Sequence, residues 1–324
     1  MSSEGPQTLI DAVTYFADGA RCAEYMRSIK WPDGKVICQH CIGENIGRIE
    51  TRDKYKCRTC KKQFSDKTDT IFEDSPLPLS SWFVAVWQIA NCKNGVSSLE
   101  LSRALGVTQK TAWFMLHRIR LAMHSGSFRK MRDTVESDET FVGGRAANMH
   151  AKKRERTILG RGPVGKAIVH GLLERGDKGA QKLSRVRVEH VPSTEAETLM
   201  PIIAENVDAH AVVCTDAASS YAGLGSRFVH QFIDHATQYV KDKVIHTNGI
   251  ENFWSLLKRM LRGTYVAVAP FHLFRYLDEE SWRFNERGTN DGGRFNRIMQ
   301  GVTGKRITYR ELCAIGDAGF MGIK

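Results

Sequence analysis

The chain has no apolar run approaching the ~20 residues that span a bilayer. Its longest, "WFVAVWQIA" at 82–90, reads as a core helix, so no membrane partner is expected. The first stretch, "MSSEGPQTLIDAVTYF", lacks a basic region leading into an apolar segment, and no secretory signal is expected there. Acidic residues are in short supply: 36 Asp and Glu face 47 Lys and Arg, for a net charge of +11. That imbalance favours a polyanionic partner, nucleic acid before a membrane surface; the plain alternative is a merely basic globular protein. The eight cysteines do not form an even disulfide framework. Four stand in two close pairs, while Cys22, Cys92, Cys214 and Cys313 are scattered. This pattern suits a metal site in a reducing compartment, and the expected location is cytoplasmic, associated with the nucleoid. With 324 residues, 42% of them hydrophobic, the chain can form two or three domains.

The paired cysteines are "CQHC" (38–41) and "CRTC" (57–60), giving C-x2-C-x15-C-x2-C. Two thiolate knuckles at this spacing can surround a structural Zn2+ tetrahedrally, so Cys38, Cys41, Cys57 and Cys60 are the expected ligands. His40, inside the first knuckle, is expected to be a bystander. Gly43 falls one place later after Cys41 than a knuckle turn leads one to expect. "GRIETRDKYKC" alternates like a strand and "KKQFSD" like its partner. Arg48, Arg52, Lys54, Lys56, Arg58, Lys61 and Lys62 make the hairpin basic. Two readings stand, phosphate contact or a zinc-stapled module docking on a neighbour.

"LSSWFVAVWQIANCKNG" (79–95) is predicted to be a Ser-capped helix stopped by Asn94-Gly95. Residues 96–123 then read as a short helix through Leu105, a turn at Gly106-Val107, and a helix capped by Thr108. Two helices joined this tightly make a candidate helix-turn-helix, the alternative being an ordinary helical hairpin. In the motif the start of the second helix meets DNA: Gln109, Lys110 and Thr111, with Arg118 and Arg120 further along.

From residue 134 the texture becomes mixed α/β. Strands are predicted at "TVESDETFVGG", 166–175 and 184–191, a helix over 193–207, then strands ending at Asp216 and within 227–235. The first three are expected to form an antiparallel meander that the later strands extend. "HTNGIENFWSLLKRML" (246–261) follows as an amphipathic helix whose apolar face is Ile250, Phe253, Trp254, Leu256, Leu257, Met260 and Leu261. Glu251 lies at the edge of that face and Lys258 returns to nearly the same angle. Asp138, Asp216 and Glu251 are the candidate acids. Three convergent carboxylates need a cation, and hard oxygen ligands select Mg2+ or Mn2+, which can activate a hydroxyl and stabilise a leaving oxygen at phosphorus. Plainer roles stand beside this: Asn248 with Glu251 as a helix-start box, Asp216 as a turn residue, Asp138 as a solvent-facing strand residue.

"VESDETFVGGR", "GRGPVGKAIVHG", "VVCTDAASSY", "HTNGIENFWSLLKRMLRGTYVAV" and "FHLFRYLDEESWRFNER" together resemble the IS1595 (ISXO2-like) group of DDE insertion-sequence transposases, over about residues 20–300. The resemblance implies an RNase H-like catalytic core whose acids fall on Asp138, Asp216 and Glu251, with the family's lysine on Lys258. It implies cleavage at the terminal inverted repeats of an element and strand transfer into target DNA. Lys258 and Arg259 would contact DNA, and His246 would touch DNA or the acids, or serve a structural hydrogen bond. A homodimer or larger complex is expected, because two DNA ends must meet. Arg275, Arg283 and Arg287 are expected on a helix over the site, in reach of DNA. The expected organisation is an N-terminal segment (1–75, ribbon about 34–66), a helical domain (76–130), the catalytic domain (131–290) and a tail (291–324), Gly-rich at first and ending in one short helix. Two rival readings are a DNA-binding regulator derived from a transposase and an RNase H-like nuclease without strand transfer.

Overall fold

The computed structural model describes residues 5–124, 129–143, 165–177, 179–216, 219–221, 223–226, 228–233 and 246–314. Residues 160–164 of "GRGPVGKAIVHG", Ala217-Ala218 and the end of the tail beyond 314 lie outside them. The chain divides into two compact units, Met1–Ser125 with Thr289–Lys324, and Gly126–Gly288.

The first unit opens with α1 (Leu9–Phe16) and α2 (Gly19–Lys30), capped by Thr8 and Asp18. A three-stranded antiparallel sheet follows: β1 (Ile46–Ile49), β2 (Lys54–Cys57) and β3 (Gln63–Phe64). Trp31, Tyr55 and Phe64 form its small core beside Cys38 and Cys57. Helix α3 (Leu79–Asn91) begins one residue before the expected serine cap, at the N-cap Pro78, with no side-chain cap. Extended Pro78 fixes the start there, leaving Ser80 and Ser81 inside the first turn. Ser97 and Glu100 cap α4 (Ser98–Leu105) reciprocally. Gly106 turns the chain at φ 65°, and the Thr108 hydroxyl caps α5 (Gln109–Met123), as the sequence predicts.

In the second unit, β4 (Thr134–Val142), β5 (Ala167–Glu174) and β6 (Arg185–Val191) form the antiparallel meander. Helix α6 (Ala196–Asn206) leads to β7 (Val212–Asp216) and β8 (Val229–Ile233), which extend the sheet parallel to β4. The order is β6-β5-β4-β7-β8. Helices α7 (Asn248–Met260) and α8 (Leu273–Asn285) follow, joined through a π-helical turn over Leu261–Tyr265. Strand alternation sends Val169 and Leu173 into a core with Ile250, Phe253 and Trp254, and Val135 and Leu172 into another with Leu199 and Ile203. Gly171 makes the first core possible. A Cβ there would come within 2.5 Å of the Trp254 ring.

Three arginines expected to reach DNA from α8 and its end are engaged inside this unit. Arg283 pairs with Glu279 at 2.6 Å and Glu280 at 2.7 Å, and Arg275 is buried beside Asp278. Arg287 donates to the Ser184 carbonyl and hydroxyl at 2.8 and 2.7 Å. Local acids and carbonyls engage these guanidinium groups, so they do not form a free basic face.

The tail returns to the first unit as α9 (Asp291–Gln300) and α10 (Tyr309–Ala314). Its Gly-rich start is helical, against expectation. The Asn290 side chain accepts from Gly293 N at 2.8 Å, and Phe295, Ile298 and Met299 are buried. The Phe295 ring packs on Phe16, Phe83 and Trp87, which outweighs the poor helix propensity of Gly292 and Gly293.

Candidate active site and zinc centre

The sheet brings Asp138 and Asp216 together by register. Cys214 of β7 pairs with Glu136 of β4, the strands run parallel, and each acid follows its paired residue by two positions. Both therefore stand at the same level of neighbouring strands, Asp138 in the middle of β4 and Asp216 at the C-terminal end of β7. On the face that Asp138 shares with Glu136, helix α7 lies across the sheet, and the Trp254 indole donates to Asp138 Oδ2 at 2.8 Å. Burial above all, with the charges of Asp216 and Glu251 adding to it and the hydrogen bonds from Trp254 and the Glu139 backbone opposing it, lifts the Asp138 carboxyl to about 6. Asp216 and Glu251 thus both act electrostatically on Asp138.

Glu251 is exposed in the first turn of α7. The expected Asn248–Glu251 box does not form. The N-cap is Thr247, whose hydroxyl donates to Glu251 Oε1 at 2.8 Å, because the helix starts at Asn248 itself. Two turns on, Lys258 is half-buried. Burial lowers its pKa, as do the charges of Arg262 and Lys166, while Asp138 opposes them. Arg259 is exposed. His246 is tied into the protein: Arg175 Nη2 lies 2.6 Å from its carbonyl and 3.0 Å from Nδ1.

Several site residues escaped the sequence reading. Glu139 lies on the opposite face of β4, where the Tyr221 hydroxyl donates to it. Burial pushes Glu139 up to about 7, with Asp138 and Asp216 adding to the rise and the Tyr221 bond opposing it. Ser137 and His170 meet at 2.9 Å behind it, both buried. Alternation in "VESDET" could have flagged an acid on the second face. Nothing local pointed to Tyr221, which comes from another segment.

In the first unit the four thiols converge. Cys38 and Cys60 Sγ lie 3.6 Å apart, as do Cys41 and Cys57. Bonds of ~2.3 Å to one zinc would set tetrahedral edges of ~3.8 Å, close to what is seen. The Cys60 amide holds the Cys57 thiol down to about 6, which favours the thiolate a metal needs. Among the described residues this quartet is the group of potential ligands whose atoms all lie within 4.8 Å. Asp138, Asp216 and Glu251 are not such a group among the described residues, though carboxylate oxygens are the donor type a hard divalent cation takes.

The late Gly43 has a structural consequence. Ile42 takes the left-handed conformation after Cys41, at φ 59°. A left-handed L-residue costs ~1–2 kcal/mol, and β-branching aggravates it. Because Ile42 is exposed, its side chain contributes little packing in return. Ile42→Gly is expected to stabilise the zinc-loaded ribbon by roughly 1 kcal/mol, partly offset by glycine's entropy when unfolded. Thermal melting compared with the wild type checks this; a lower midpoint would count against the strain.

Gln109 and Lys110 are exposed at the start of α5, with Lys110 lying over the Tyr309 ring at 4.4 Å; Thr111 is partly exposed. Arg118 corrects the sequence reading. It is buried, donating to the Ile307 carbonyl at 3.2 Å and the Glu73 carbonyl at 2.6 Å, so it faces the interior of its unit. Helical period puts it on the core side with Met115 and Ile119. Arg120 is buried as well.

Residues 130–285 match the family model of the ISXO2-like transposase domain, and residues 17–63 that of the transposase zinc-ribbon domain. A Halobacterium salinarum protein described as an uncharacterized protein in transposable element ISH50 is 26% identical over 276 residues, 81% of this chain and 89% of that one. An uncharacterized transposase-like protein of Haemophilus influenzae is 40% identical over 96 residues, 29% of this chain and 76% of its own length. No solved structure matches. The class is therefore transposase. The chain belongs to the IS1595 (ISXO2-like) transposase family, with a zinc ribbon that supports structural zinc. Among the described residues no helix is long and apolar enough to cross a membrane.

Proposed function

We propose that this transposase binds the terminal inverted repeats of an insertion sequence, cleaves DNA there and transfers the strand into target DNA, using a divalent cation held by Asp138, Asp216 and Glu251. The observation that carries the reading is geometric: parallel register sets Asp138 of β4 level with Asp216 of β7, and α7, which bears Glu251, is tied to Asp138 through the Trp254 indole. The strand order β6-β5-β4-β7-β8, with an antiparallel first trio, supports an RNase H-like core. Mg2+ or Mn2+, when bound, supplies the positive charge that activates an attacking hydroxyl and stabilises the leaving oxygen.

The chain's own residues do the rest. The Trp254 indole holds the Asp138 carboxylate from the helix above it, and Glu251 is steadied by the Thr247 hydroxyl. Lys258 offers a cation to a DNA phosphate beside the acids, with Arg262 and Lys166 adding to the positive field and exposed Arg259 following the backbone. Gln109, Lys110 and Thr111 at the start of α5 suit the recognition position of a helix-turn-helix. Two copies of the chain would hold the two element ends.

The test is an assay of the purified chain with Mg2+, linear DNA carrying the element's ends, and a supercoiled target. Expected products are nicks that leave 3′-OH ends and joined target molecules. Cleavage of junctions or RNA hybrids with no joining would replace this reading by the nuclease one.

A further inference from the structure

Below Asp138 on the same face of β4 sits Glu136, almost fully buried at 1% exposure. Arg175, just after β5, donates through Nε to Glu136 Oε1 at 2.7 Å, and Nη2 of the same guanidinium reaches the His246 carbonyl at 2.6 Å. The other carboxylate oxygen, Oε2, accepts from the backbone N–H of Ile250 at 2.8 Å. His246 Nδ1 stands 3.4 Å from Oε1. Gly249 leaves the room, since a Cβ there would lie 2.8 Å from Oε2. A buried ion pair thus grips both the segment before α7 and its first turn.

The spacing makes this a registration device. Glu136 and Asp138 are two residues apart on a strand, ~6.7 Å at ~3.3 Å per residue. Their partners Ile250 and Trp254 are four apart on a helix, ~6 Å at ~1.5 Å per residue. Strand and helix are pinned at two matched points, and Glu251 follows directly after the first pin. We infer that Glu136 and Arg175 are positioning residues: through Ile250 and His246 they set where the Glu251 carboxylate stands relative to Asp138. The inference rests on the three-acid reading above. Neither residue touches a reacting atom. A bare structural pair would need no contact with the segment that carries the third acid, whereas the Arg175 guanidinium reaches the His246 carbonyl as well as Glu136.

The experiment is a Mn2+ titration followed by electron paramagnetic resonance on the full chain, run beside the Mg2+ dependence of cleavage. Glu136→Gln keeps an acceptor for Ile250 but loses the charge facing Arg175. Expected is a loss of about 10-fold or more in Mn2+ affinity, the usual cost of disturbing a ligand's support. The Mg2+ needed for half-maximal cleavage should rise in parallel, with the rate at saturating Mg2+ falling less. Arg175→Lys, which keeps the charge but cannot reach both groups, should fall between. It carries the same test if Glu136→Gln does not fold. Leu199→Ala, in the opposite core, controls for general destabilisation and should leave Mn2+ affinity unchanged. A folded Glu136→Gln or Arg175→Lys with wild-type affinity overturns the inference, as does an equal loss in Leu199→Ala. Glu251→Gln is measured alongside. Wild-type affinity there would sink the three-acid reading itself, whereas a weak Glu251→Gln beside an unaffected Glu136→Gln sinks the positioning role alone.

Discussion

Asp138→Asn is expected to lower DNA cleavage by at least about 10³-fold while making the metal-free protein more stable at pH 7.5. The first effect follows from the proposed role. Losing a carboxylate that shares a divalent cation removes several kcal/mol of transition-state stabilisation, and each ~1.4 kcal/mol is tenfold in rate. The second follows from the carboxyl's environment. In the folded protein the Asp138 carboxyl is raised from the ordinary aspartate value of 3.8 to about 6, chiefly because it is buried. A raised folded pKa contributes stability that is fully present below the unfolded value and lost as pH rises through about 6. At pH 7.5 the ionised group therefore weighs against the fold by on the order of 1–3 kcal/mol. Asparagine removes that charge and keeps an oxygen for the Trp254 indole. A structural aspartate would lose stability along with activity; this one should trade one for the other. Asp216→Asn and Glu251→Gln should lose cleavage comparably. The checks are end-cleavage rates in Mg2+ and thermal melting across pH 5–8 in chelator. Undiminished cleavage in all three variants would falsify the assignment of the acids.

Removing zinc should unfold residues about 34–66 and spare the second unit. The ribbon sheet is small, with β3 only two residues long, and its core is little more than Trp31, Tyr55 and Phe64. That burial is too slight to fix the chain unaided. Structural zinc contributes ~10–16 kcal/mol of apparent binding energy in small modules, and the sites form only as they fold. Cys57→Ser removes a buried thiol that accepts from the Cys60 amide. It should abolish stoichiometric zinc, open the ribbon to protease, and leave the fragment around 129–288 resistant. Zinc content by mass spectrometry and limited proteolysis with and without chelator measure this. A variant that keeps one zinc per chain, or a chelated protein as resistant as before, would count against a metal-built ribbon.

Much of this was readable from local pattern. The cysteine spacing located the thiol cluster because ligand spacing is a short-range constraint. Thr108, Gly106 and the Ser97–Glu100 box marked the helical pair, since caps and left-handed turns depend on residues within one turn. Alternation marked β4, an apolar run marked β7, and the apolar face of α7 matched the one that is buried. Most of the errors came where a partner distant in sequence decided the outcome, Arg283 with its neighbours on the same helix being the exception. Arg118 looked like a DNA contact until carbonyls 45 and 189 residues away in sequence took its guanidinium. Arg283 looked available until its own helix turned Glu279 and Glu280 towards it. The glycines at 292 and 293 argued against a helix that Phe295 and its aromatic neighbours impose.

What the sequence by itself determined is the set of parts: four thiols at zinc spacing, three acids in chain order, and an amphipathic helix bearing the third acid with Lys258. These depend on residue type and near-neighbour periodicity, which the chain carries openly. What only the tertiary structure decided is how the acids are held. Parallel pairing of β4 with β7 sets Asp138 beside Asp216. Gly171 admits Trp254 to Asp138, and Glu136 with Arg175 pins the start of α7. Each is a contact between residues from 39 to 116 positions apart, whose energy depends on packing and burial that no local window contains.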